Sequence, residues 1–415
     1  MAKNNNSADA KPIVILGGSY GGVSAAHYIQ KHVIPQLPEK STYQVKLVSA
    51  SSYTMCRPAC PRALISDDMF PQDKLFVSIS KSFEKYPTAT FQFIHGTATE
   101  VQHSKRTVSL SLATGDTEII GFYALVIATG ASTPSPLLGL NSDEKFLRSS
   151  WGVLREKLST AKTIVIAGGG PAGVETAGEL GEFLNGRSKQ LPSISPPKVD
   201  ITIVSAGAEI LTALRPAIAE KARQHLAKVG VNVINNTRVT NIEPQTAGTE
   251  SVASKATLTL DNGSTLEADI YIPATGSKPN TAFLSSELLT PDGRVHTNKS
   301  TLRVDKAGER IYAIGDASSY ARPAIHVILS AVPVLCANMK NDLLSAYDGG
   351  SAKEDRIFKE DTRETQMVPI GKSKGVGAAM GYQLPSFLVW LIKGRDYWMW
   401  TTGKLWSGQQ WAKAS

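Results

Sequence analysis

The chain has 415 residues, 42% of them hydrophobic and 19% charged, and carries a formal charge of +8. Such a length outgrows one hydrophobic core and predicts two or three globular domains. The positive excess is spread along the chain without a basic run, which argues against specific nucleic-acid recognition, and three cysteines (Cys56, Cys60 and Cys336) are too few for a disulfide scaffold.

The opening MAKNNNSADA has neither an apolar core nor an arginine-rich amphipathic pattern, so no signal or transit peptide is expected. Ala2 stands where N-myristoylation needs glycine. The apolar stretches AIHVILSAVPVLCA and FLVWLI read as too short or too interrupted to span a bilayer. A cytoplasmic protein is the expectation.

Residues 12–16, PIVIL, form a continuous apolar run, as a strand buried on both faces should. GGSYGG follows as a turn, VSAAHYIQKHV begins a helix, and YQVKLVSA (43–50) is a second strand, giving a βαβ unit. From about Phe91 to Leu125 short alternating strands read as an antiparallel meander, and ALVIATG (124–130) ends at Gly130. KTIVIAGGGPAGVETAGEL, from Lys162 to Leu180, opens a second strand–turn–helix whose next strand is VDITIVS (199–205). More short strands follow, and another strand ends in ATG at Gly276. Each half therefore reads βαβ, meander, strand–ATG, an internal repeat of architecture. ERIYAIGDAS (309–318) is a further strand ending in Gly315-Asp316, with a helix after it. A charged linker (345–365) precedes a distinct C-terminal segment.

The two glycine turns carry the chemistry. The first glycine permits a tight strand-to-helix turn, the second lets backbone approach a pyrophosphate, and the third lets helix and strand pack closely. Amides at the helix start then face the anion with the helix dipole behind them. Gly168, Gly170 and Gly173 fill the three places in the second copy; Gly17, Ser19 and Gly22 fill them in the first. One such turn is weak evidence, but two in matching contexts predict two bound dinucleotides. The acid that usually ends the second strand and grips a ribose diol is replaced by Ser49 and Ser205. Ser205 does not repel a 2′-phosphate, so NADPH is admitted alongside NADH, with Glu209 and Arg215 near enough in sequence to bias the choice either way.

Both turns, both ATG strands and AIGDA resemble the pyridine-nucleotide-dependent FAD oxidoreductases. GGGPAGVETAGEL and the tail MVPIGKSKGVGAAMG…WLIKGRDYWMW are similar to the apoptosis-inducing-factor-like branch that includes ferroptosis suppressor protein. The resemblance covers nearly the whole chain. It implies an α/β fold with two Rossmann-like dinucleotide-binding domains arranged as in glutathione reductase, and a small C-terminal α+β segment. The expected order is an FAD-binding domain (1–150), an NAD(P)H-binding domain (151–285), the second part of the FAD-binding domain (286–350) and a C-terminal domain (351–415). It further implies FAD contacts from Gly18, Ser19, Tyr20, Gly21 and Gly22, from Arg62, from Ala98 and from Asp316. Glu175 would lie beside the stacked nicotinamide and flavin, orienting a carboxamide, relaying a proton, or only complementing the helix dipole. Lys359 would sit near the flavin. Departures from the branch are Ser19, Ser49, Ala2 and the two cysteines of TMCRPACPRAL.

The implied activity is hydride transfer from NAD(P)H through FAD to a small organic acceptor, a quinone in the resembling branch, entering opposite the nicotinamide. Phe387, Trp390 and Leu391 at helical spacing, followed by Lys393 and Arg395 and by Trp398, Trp400, Trp406 and Trp411, suit a quinone mouth and a peripheral membrane contact; the same stripe could equally pack on the FAD domain. On the first reading, removing residues from about 384 onward leaves both dinucleotide domains folded and FAD bound. Two other functions compete. Cys56 and Cys60 follow the second strand where disulfide reductases of this superfamily keep redox cysteines, although C-x3-C matches neither usual spacing. A redox-sensing or polyanion-binding factor without a dedicated substrate is the other. The sequence sets no oligomeric state.

Overall fold

The computed structural model describes residues 10–189, 196–349 and 354–414. Two sheets, one mixed and one parallel, organise them. The first has seven strands in the order Ile311–Ala313, Ala124–Ile127, Lys11–Leu16, Tyr43–Ser49, Phe91–Gln102, Thr107–Leu112, Thr117–Gly121. The first five run parallel and the last two close the sheet as an antiparallel meander. PIVIL is buried on both sides: Ile13 and Ile15 enter one apolar cluster, Val14 and Leu16 the other. This is why the run shows no polar alternation.

The second sheet, Val231–Ile234, Asp200–Val204, Thr163–Ala167, Ile270–Pro273, is parallel throughout. Ile164 and Ile166 face one cluster; Val165 and Ala167 face another, capped by the antiparallel strands Val239–Glu243, Ala256–Leu260 and Thr265–Ala268. Here the meander forms a sheet of its own, and the short strand before it, Val231–Ile234, joins the parallel sheet. The chain crosses between the two sheets in adjacent strands, Ala131–Ser132 paired with Lys278–Pro279. Asn280 stitches this crossing through Thr129 and Ser132.

The boundary expected at residue 150 falls inside one helix, Glu144–Leu158, whose start is capped by Asp143. Its apolar face (Leu147, Trp151, Leu154, Leu158) packs with both the second sheet and the Met55–Phe76 region. The stretch AIHVILSAVPVLCA belongs to a 24-residue helix, Ile325–Asp348, long and apolar enough by composition to cross a membrane despite Pro333. In this fold it packs beside the first turn's helix, Tyr20–Tyr28, with Ala331, Val332, Leu335 and Met339 in the core.

The C-terminal unit is a three-stranded antiparallel sheet, Gln366–Ile370, Lys374–Ala379 and Tyr382–Gln383, followed by helical turns to Trp411. It docks on the helix Pro171–Asn185. Gly178 makes the approach possible, since a Cβ there would lie 2.8 Å from Ile370 Cγ2 and 2.9 Å from its Cα.

Candidate active site: two glycine turns and a buried ion-pair cluster

The two turns repeat each other nearly atom for atom. Gly17 and Gly168 take φ of +116° and +125°, and a Cβ on them would stand 2.1 and 2.4 Å from the carbonyl oxygens of Ala128 and Ala274, the alanines of the two ATG strands. A Cβ on Gly22 or Gly173 would strike the carbonyl of Gly17 or Gly168 at 1.8 or 2.0 Å. Only glycine fits these places. A Cβ on Gly170 would meet nothing within 4 Å, so its neighbour is solvent or ligand rather than protein, which explains why Ser19 is tolerated at the equivalent position. Ser49 and Ser205 pack against the turns themselves: a Cβ on Gly18 would meet Ser49 Oγ at 2.5 Å, and one on Gly169 would meet Ser205 Oγ at 2.4 Å. A carboxylate would be crowded there.

No side chain caps the helices that leave the turns, Tyr20–Tyr28 and Pro171–Asn185, nor the helix Ile325–Asp348 after Gly315-Asp316. The first-turn amides that these helices have, Pro171 supplying none, are free for an anion, which is the fit two dinucleotides require. Gly130 and Gly276 bend the chain at matching φ of +65° and +63°. Gly315 does so at +81° beside Asp316, which faces Arg57 at 3.7 Å. Ala98 lies half-buried at an irregularity in the Phe91–Gln102 strand.

The helix after the second turn brings two carboxylates inward one turn apart. Glu175 Oε1 accepts from Lys393 Nζ at 2.5 Å, and Lys393 also donates to the Met367 carbonyl at 3.0 Å. Glu179 receives both Nε (2.9 Å) and Nη2 (2.7 Å) of Arg62, and the Tyr397 hydroxyl at 2.9 Å. Arg62 donates further to the carbonyls of Arg395 and Gly371 and stacks 4.8 Å from the Tyr397 ring. All five side chains are buried. Burial pushes the Glu175 carboxyl up to about 7 against the opposing pull of Lys393. A carboxyl poised there exchanges protons near neutrality, which suits general acid–base work.

This cluster corrects several expectations. Arg62, expected on FAD, is a clamp between the first domain and Glu179. Lys393, expected at a membrane interface, is buried because Glu175 needs a counter-charge away from water. Lys359, expected near the flavin, is exposed, and Lys393 is the lysine that reaches Glu175. Tyr397 has no mark in the sequence that sets it apart. The signal for its site is Glu175 and Glu179 at i, i+4 among the apolar positions of the helix's buried face: two carboxylates there demand two cations.

The cysteines lose the chemistry that their position suggests. Both are free and buried, and burial lifts Cys56 to about 11 and Cys60 to about 12. Cys56 Sγ hydrogen-bonds to the Tyr397 carbonyl at 3.3 Å and accepts the Tyr20 hydroxyl at 3.7 Å. Thiols so protonated are poor nucleophiles. Cys56→Ser and Cys60→Ser are therefore expected to keep NAD(P)H-to-acceptor turnover within about twofold of wild type; abolished turnover with intact flavin reduction would restore the disulfide reading.

Near the second strand's end, Arg215 is taken up by Glu364 (Nε–Oε2 2.8 Å, backbone N–Oε1 2.6 Å) and the Gly381 carbonyl, while Glu209 faces Arg223 at 3.7 Å. The aromatic stripe divides. Trp406 and Trp411 are core; Phe387, Trp390, Leu391 and Trp400 stand exposed.

Comparison with known proteins agrees with this architecture. Residues 11–333 match the family model of the pyridine nucleotide-disulphide oxidoreductases. The chain is 62% identical to oxidoreductase phnG of Penicillium herquei over 97% of each chain, and 25% identical to ferroptosis suppressor protein 1 of Taeniopygia guttata over 92% of each. Its fold superposes on the sulfide:quinone oxidoreductase of Aquifex aeolicus with a TM-score of 0.69 at 16% identity, over 96% of this chain and 92% of the other. The chain belongs to the pyridine nucleotide-disulphide oxidoreductase family and is an NAD(P)H-dependent flavoprotein oxidoreductase.

Proposed function

We propose that the chain delivers reducing equivalents from NAD(P)H to an apolar, quinone-like small molecule, working from the cytoplasm against a membrane surface. Bound FAD supplies the hydride chemistry, and the first turn with Gly315-Asp316 would hold it. The second turn would hold the nicotinamide dinucleotide, with Glu175 positioned by Lys393 to hold or release a proton near neutral pH. The carrying observation is the single helical turn Trp390–Gly394. Lys393 reaches inward from it to Glu175, while Trp390 and Leu391 point to solvent from the same turn. This links an apolar outer face to a buried proton-handling pair over a few residues. Exposed aromatics beside Arg395 and Lys404 match a bilayer interface. Free buried thiols suit a reducing compartment.

The test is steady-state turnover of purified FAD-loaded protein with NADH and NADPH against a short-chain quinone, a disulfide and oxygen. Quinone turnover at least tenfold above the other two is expected. Disulfide reduction at or above the quinone rate would overturn the proposal.

A further inference from the structure

A concave site that uses no residue of either turn lies between the helix Pro216–Ala227 and the C-terminal sheet. It encloses about 460 Å³ and is lined by Lys221 and His225 from the helix and by Gly375, Val376 and residues 383–386 from the C-terminal unit. Its surroundings are one-sidedly positive. His225 is half-buried among Arg187, Lys228, Lys374 and Lys221, and burial followed by those four charges pushes its imidazole down to about 4. Lys221, Lys228 and Lys374 have no ion-pair partner among the described residues. Arg187 gives Nη2 to Glu182 and the Ile370 carbonyl, but its Nε and Nη1 are buried without a partner among the described residues. The acids nearby are already engaged: Glu182 by Arg187 and the Lys372 amide, Glu220 by Arg223 and Gln224. Uncompensated positive charge around a cavity is relieved by a bound anion.

The flanks say which anion. Tyr382 and Phe387, immediately before and after the lining segment 383–386, are 77% and 63% exposed. A ligand matching both features has a phosphate joined to an apolar body. We propose that this cavity binds the phosphate headgroup of an anionic phospholipid, with Tyr382 and Phe387 against its apolar part. The proposal rests on the reading that the C-terminal face meets a membrane, and it adds a specific lipid contact to that reading.

Two measurements on the FAD-loaded full chain separate them. In sedimentation with phosphatidylcholine vesicles, with or without phosphatidic acid, the wild type should prefer the acidic vesicles. Lys221→Gln with Lys374→Gln should cut that preference by about tenfold or more, at roughly 1 kcal/mol for each lysine near an anionic surface. The control pair Lys105→Gln with Lys299→Gln, exposed outside both the cavity and the C-terminal unit, should change it far less. Equal losses for the two pairs would mean diffuse attraction and overturn the site. The second measurement follows the His225 imidazole by NMR with monomeric dihexanoyl phosphatidic acid. A bound phosphate favours imidazolium, so the His225 titration should move upward. No movement overturns the proposal, and an equal response to inorganic phosphate replaces the lipid with a free anion and overturns it too. If wild type binds no vesicle yet His225 responds to the short-chain lipid, the membrane reading fails while the cavity stands.

Discussion

A chain ending at residue 383 is expected to purify without FAD and to lose its cooperative unfolding transition. The residues beyond that point close the first turn's helix. Trp406 lies 4.7 Å from the Tyr20 ring, inside GGSYGG, and its carbonyl receives His27 Nε2 at 2.8 Å. The Trp411 carbonyl receives His32 at 2.8 Å, and the Gly408 carbonyl receives Lys31 at 2.5 Å. All nine residues of Tyr20–Tyr28 are buried, partly beneath this strap. Losing Tyr397, Trp406 and Trp411 removes three buried aromatics at about 3 kcal/mol or more each, against a total stability of about 5–15 kcal/mol. Glu175 loses its ion-pair partner Lys393 at the same time. This reverses the expectation that the tail is dispensable for FAD because neither strand–turn–helix unit uses it. Absorbance at the flavin bands together with a denaturant melt decides it. A truncated chain that stays yellow and melts cooperatively would return the strap to the surface.

What is legible in the sequence is whatever local stereochemistry dictates. Gly17 and Gly168 are forced by positive φ and by the Ala128 and Ala274 carbonyls, so the duplicated turn can be read from spacing. PIVIL and IVIA are apolar throughout because each packs on both faces. What stays hidden depends on contacts far apart in the chain. Lys393 meets Glu175 across 218 positions, and Arg62 meets Glu179 across 117. Nothing in WLIKGRDYW distinguishes a lysine that turns inward at Trp390–Gly394 from one that snorkels to an interface. Trp406 and Trp400 likewise look alike as letters, yet one is core and the other exposed. Cys56 and Cys60 point to the flavin by position alone. Their burial, which decides their reactivity, is a tertiary property.

Replacing Lys393 with methionine is expected to cost about 3 kcal/mol or more of stability, because it strands Glu175 without a partner in a dry site. Adding Glu175→Gln should recover much of that loss, since the double variant buries no charge. The coupling shows in pH dependence. In wild type the Glu175 carboxyl is held up to about 7 against an ordinary 4.5, chiefly by burial. Between those values the folded chain keeps a proton that the unfolded chain has released. This group's contribution to stability therefore falls as pH rises from about 4.5 to 7 and is level above that. Lys393 is what restrains the rise, through its charge and its hydrogen bond, so Lys393→Met should carry the falling limb above 7. Glu175→Gln should remove that limb. Denaturant melts at a series of pH values across this range, with the rate of flavin reduction by NAD(P)H measured alongside, separate the effects. If the pair handles the reaction's proton as well as the fold's, the pH profile of reduction should lose its inflection near 7 in Glu175→Gln and shift upward in Lys393→Met. Unchanged profiles in both variants, with only stability altered, would make the pair a structural clamp like Arg62 and Glu179.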